Sequence, residues 1–65
     1  MKLELTLMMD SATFAGEDAG YEVERILRAT AMRFHAVHAD DLKGMEFPIT
    51  DVTGQVVGAV SIIDA

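Results

Sequence analysis

The sequence predicts one α+β domain with the order strand–helix–strand–strand. Its three-stranded sheet has the order 1-3-2, and one amphipathic helix packs on one face. Three observations predict this. The first residues alternate with a period of two, a long middle stretch repeats every 3.6 residues, and two apolar runs near the end flank a glycine-marked turn. A chain of 65 residues allows one domain, spanning 1–65, and excludes a two-domain enzyme.

From Lys2 to Met9, Leu3, Leu5, Leu7 and Met9 point one way, and Lys2, Glu4, Thr6 and Met8 the other. That alternation is a half-buried strand. Asp10 to Gly16 (DSATFAG) reads as a loop, with Phe14 its one large apolar residue, expected to tuck under the helix as an anchor. Glu17 to His38 is the predicted helix, with Val23, Ile26, Leu27, Thr30, Ala31, Phe34 and Val37 on its core side. Glu17 and Asp18 suit its first turn, where the helix dipole favours negative charge. Glu22 with Arg25, and Glu24 with Arg28, have the spacing of helix ion pairs.

Ala39 to Gly44 reads as a polar connection, and Met45 to Thr50 as a strand with Phe47 and Ile49 on one side. Pro48 cannot donate to a ladder, which puts this strand at an edge. Asp51-Val52-Thr53-Gly54 is a turn, Asp suiting its first position and Gly a left-handed one. Gln55 to Ile63 is apolar on both sides, as befits a central strand. The sheet face away from the helix then carries Thr6, Met8, Val57, Ala59 and Ile63, with Thr50. That surface is too apolar to rest easily in water, and it is the candidate interaction face.

Composition narrows the function. Five Lys and Arg against eleven Asp and Glu give a net charge of −6, which disfavours nonspecific nucleic-acid binding and attraction to anionic lipid. No cysteine is present, so thiolate metal sites, iron–sulfur clusters and thiol nucleophiles are excluded. No apolar stretch approaches the ~18 residues of a membrane span, and no secretory pattern opens the chain. A cytoplasmic setting is expected. A core this small seldom supplies more than about 3–5 kcal/mol without staples, so association with itself or another protein is expected from size alone. Five methionines, among them Met8 and Met32, mildly favour adaptable protein contacts.

Catalytic groups are scarce. Ser11 and Ser61 lie in no nucleophile elbow, and the five glycines form no phosphate-cradling loop. His35 and His38, followed by Asp40 and Asp41, are the only cluster resembling metal ligands, and they read more simply as helix-end histidines before a polar loop. The expectation is therefore no catalytic residue, no metal and no cofactor. The size and strand–helix–strand order are similar to those of the small tautomerases. Their amine base, however, is a proline directly after the initiator Met, where this chain has Lys2.

Three segments carry a different resemblance: Asp10–Phe14 (DSATF), Glu22–Arg28 (EVERILR) and Asp51–Gly58 (DVTGQVVG). In this order they resemble a family of short proteins encoded in tailed-phage and prophage genomes. The sequence departs from that pattern at Ser11, Thr53 and Gln55, where Asn is usual, and at Glu24. The resemblance implies a phage origin and gives no mechanism, since its motif residues read as loop anchor, core stripe and turn. The expected function is a small phage-type protein–protein interaction module that binds and modulates a host or phage protein, counter-defence being one such role. The alternative is a structural or assembly accessory acting mainly through oligomerisation, as a homodimer. A small-molecule or metal-binding module is a distant third.

Overall fold

The computed structural model describes residues 1–64. Strand β1 (Lys2–Leu7) leads through a single 3₁₀ turn (Ala12–Phe14) into helix α1 (Ala19–Met32). A short helix α2 (Ala39–Leu42) precedes the hairpin of β2 (Glu46–Thr50) and β3 (Val56–Ile63). The sheet order is β1-β3-β2, with β3 antiparallel to both neighbours. The α+β class, the element order and the sheet order agree with the sequence expectation. Pro48 lies on an edge strand, where no ladder bond needs its missing N–H.

The hairpin turn follows its residue types. The Gly54 N–H donates to the Asp51 carbonyl at 2.9 Å, and Gly54 takes a φ of 88°, a left-handed value that costs a residue with a Cβ about 1 kcal/mol or more. Phe14 is buried and joins Ile26, Phe47, Ile49, Val57 and Val60 in the core, so the loop is anchored as its composition suggests.

Three sequence expectations need correction. The helix is shorter than Glu17 to His38. It begins at Ala19 and ends at Met32, after which tightened i→i+3 bonds run from Phe34 to Ala31 and from Val37 to Phe34. Ala36, at φ 58°, then turns the chain away. The connection that follows is not irregular throughout, because His38 caps α2: its Nδ1 accepts the Asp40 N–H at 3.1 Å.

Second, the buried stripe of α1 is rotated. Glu22, Ile26 and Thr30 are its buried residues, whereas Leu27 is 47% exposed. The flank of Arg25, Ala29 and Arg33 lies along β2, and three polar contacts hold it there. Glu22 accepts the Val52 N–H at 2.8 Å, Arg25 reaches the Thr50 carbonyl at 3.4 Å, and the Arg33 guanidinium sits 4.1 Å over the Phe47 ring. Phe34 is half-buried, its ring centroid 5.7 Å from that of Phe47. The opposite flank, with Leu27, is left exposed.

Third, Val57 does not lie on the face away from the helix. The β2–β3 register shifts between Ile49 and Thr50, which pair with Gly58 and Val56, so Val57 is the extra residue of a β-bulge. The bulge breaks strict alternation and turns Val57 into the core, 6% exposed, while Val56 points to solvent. Gly58 follows directly. A Cβ there would run into the Thr6 carbonyl oxygen, so β1 and β3 approach at this point closer than any other residue type permits.

Candidate functional site

The sheet face away from α1 is assembled by cross-strand rows, because residues directly opposite one another share a face. Across the three strands run Thr6–Ala59–Pro48, then Glu4–Ser61–Glu46, then Lys2–Ile63. Of the five residues expected on this face, Thr6, Met8, Ala59 and Ile63 are exposed. Thr6, Ala59 and Ile63 lie together on it. Met8 continues their side of β1 just beyond the strand, its N–H held by the Val57 carbonyl at 2.7 Å. Val57 does not join them.

Chemically the face is flat and mixed. Thr6, Ala59, Pro48 and Ser61 are small or compact, and they form a shallow centre without a cleft. Glu4 and Glu46 flank Ser61, making the lower part acidic. Lys2 is paired with Glu4 at 3.1 Å, and both are exposed, so the pair adds little stability. Such a surface offers area and shape to a macromolecule.

The buried charges of the molecule lie elsewhere, at the junction of the Asp10–Gly16 loop, the start of α1 and the hairpin. Asp51 is buried. Its Oδ1 accepts the Thr53 hydroxyl at 2.6 Å, the Thr53 N–H at 2.9 Å and the Gln55 N–H at 3.0 Å. Its Oδ2 accepts from Ser11 at 3.4 Å and from Thr13 at 3.3 Å. The Thr53 hydroxyl, more than the backbone N–H groups and Thr13, holds this carboxyl below its usual range against the opposing cost of burial. Glu22, also buried, accepts Arg25 Nε at 2.7 Å and the Val52 N–H at 2.8 Å. Its carboxyl is likewise lowered, first by the Arg25 hydrogen bond, and Arg25 is raised in turn by Glu22.

Sequence reasoning read Asp51 as a turn residue and the Glu22–Arg25 spacing as a surface ion pair. It missed that both carboxylates are tertiary ties. The three motif segments meet here, Ser11 and Thr13 of the first with Asp51 of the third, and Glu22 of the second with Val52. With every oxygen of both carboxylates engaged, the junction is a clasp that ties the loop, α1 and the hairpin together.

His35 and His38 are both exposed. They do not share a helix face, because α1 ends before them and Ala36 turns the chain between them. His38 is spent on capping α2 and lies 3.6 Å from Asp40. Among the described residues no three His, Asp or Glu side chains converge as metal ligands, and no helix is long and apolar enough to cross a membrane.

No family model, curated protein or solved structure matches this chain.

Proposed function

We propose that this chain is a small protein–protein interaction module that docks a partner protein on the open face of its sheet and thereby modulates it. The observation that carries the proposal is the uncovered row Thr6–Ala59–Pro48, with Ile63 and Met8 exposed beside it, on a sheet with one helical layer only. Among the described residues ten large apolar side chains are exposed against seven apolar side chains buried, a balance that favours a partner. The acidic border supplied by Glu4 and Glu46 favours a partner with basic or neutral surroundings and disfavours nucleic acid.

The resemblance of the three motif segments to phage and prophage proteins adds that the partner is a host or phage protein in the bacterial cytoplasm, with counter-defence as one such role. The alternative, an assembly accessory acting through oligomerisation, draws support from the free edge of β1.

Affinity capture from a bacterial lysate with the wild type, Ala59→Lys and Arg28→Glu tests the proposal. Arg28 is exposed on the helix, on the other side of the molecule, and among the described residues it pairs with Glu24 alone, at 3.2 Å. A partner retained by Arg28→Glu and lost by a folded Ala59→Lys is the expected result. Equal capture by all three would remove the open face from the account.

A further inference from the structure

We infer that two copies of this chain join antiparallel through their β1 strands, edge to edge, to form one continuous six-stranded sheet. The two edges of the sheet differ in a way that points to this. Hydrogen-bonded pairs alternate along an antiparallel ladder. The Met8 N–H bonds the Val57 carbonyl, so in β1 the even residues bond inward to β3, and the N–H and C=O groups of Leu3, Leu5 and Leu7 point out from the free edge.

On the far edge, the Ile62 N–H bonds the Met45 carbonyl at 2.8 Å, which sends the nitrogen of Pro48 and the carbonyl of Thr50 outward. That edge is guarded. Pro48 has no N–H to offer, Arg25 occupies the Thr50 carbonyl at 3.4 Å, and the bulge distorts its end. β1 has neither proline nor bulge, and its register with β3 is regular along its whole length. One edge is closed to further strands and the other is left open, about 20 Å long at a strand's rise per residue.

The side chains on that edge select a second copy. Pairing requires outward-bonding residues to face one another, so leucines must meet leucines. Centring the pair on Leu5 sets Leu3 opposite Leu7 and Leu5 opposite Leu5, and it pairs every strand residue but Lys2 within β1. On the open face the same register sets Glu4 opposite Thr6. Shifting one step toward the N-terminus keeps the same overlap but sets Glu4 against Glu4, a like-charge pair directly opposite, while shifting the other way runs the pairing off the end of β1. On the helix side, the join covers Leu3, which is 52% exposed. The edge and its unfinished apolar layer thus need the same partner. This surface is separate from the open face, which stays free in the dimer.

Sedimentation equilibrium of the whole chain should give a species of twice 7.1 kDa at micromolar concentration. Methylating the Leu5 backbone nitrogen, in a chemically synthesised chain, leaves every side chain and every β1–β3 bond in place and should abolish the dimer. Thr6→Lys should tighten it roughly three- to ten-fold through two new pairs with Glu4, and Thr6→Glu should weaken it comparably. Stacking through the open face would instead be weakened by both substitutions, and binding of a foreign protein there would survive the methylation. A chain monomeric throughout, a dimer indifferent to the methyl group, or a dimer weakened alike by both Thr6 variants would overturn the inference.

Discussion

At the residue scale, two buried carboxylates do most of the specifying. Asp51 gathers the turn N–H groups of Thr53 and Gln55 and ties them to Ser11 and Thr13, some forty positions earlier in the chain. Asp51→Ala leaves those donors without an acceptor at a site that is only 4% exposed. It should therefore lower the melting temperature well beyond Asp10→Ala, where an exposed carboxylate is removed. Comparable thermal shifts for the two would mean the clasp is ornamental.

Both carboxyls are lowered in the folded chain, which fixes the sign of the pH dependence. Their contribution is fully present above the unfolded carboxylate values of about 4 and is lost as pH falls through the lower folded values. Urea midpoints taken from pH 7 downward should hold until about pH 5 and then drop. In Glu22→Gln the drop should be shallower, and an unchanged profile there would contradict the assignment. Asp51's place in a turn was legible from its neighbours Thr53 and Gly54. Its reach to Ser11 and Thr13 was not, because a hydrogen bond across that sequence distance leaves no local pattern.

At the scale of elements, periodicity identified the strands and the helix, but it misplaced the helix's phase and length. Apolar spacing alone favours a stripe through Leu27. The polar flank won because Glu22, Arg25 and Arg33 each find a specific partner on the hairpin or β2. The helix end was hidden because Phe34 and Val37 continue the apolar period past Met32, into the turn made by Ala36. Ile26→Ala should consequently cost about 2–5 kcal/mol, and Leu27→Ala clearly less. Chemical denaturation that ranked Leu27 above Ile26 would restore the rejected phase.

Strand β3 carries a parallel lesson. Its two-sided apolarity correctly placed it in the centre, but counting by twos put Val57 on the wrong face, since a bulge adds one residue and resets the count. Gly58 marks that place in the sequence. Gly58→Ala should severely reduce stability or prevent folding because its Cβ would meet backbone at Thr6. Gly54→Ala, with open space around it, pays only for its positive φ. Circular dichroism melts of the two variants should separate widely.

At the scale of the whole molecule, the fold leaves much of itself uncovered. The radius of gyration is 12.9 Å, where about 11 Å is expected for a tightly packed chain of this length. Only Ile26 and Val60 among the larger side chains are fully buried. One helix packs on one face of the three-stranded sheet and leaves the other face open, and both the proposed docking and the proposed pairing rest on surface left uncovered. The sequence expected association from size and apolar content, and it placed Thr6, Met8, Ala59 and Ile63 at positions the structure leaves exposed. The unguarded edge of β1 was not legible, since which backbone groups point outward depends on the pairing parity that only the fold fixes.

The claim that the open face is where this protein works is tested most directly by site-specific photocrosslinking in living bacteria. A photoreactive residue is placed at Ala59, at the centre of the face, and in a second chain at Arg28, 80% exposed on the helix. The account predicts a discrete covalent adduct to another polypeptide from position 59 and none from position 28. No adduct from position 59, or the same adduct from both positions, would contradict it.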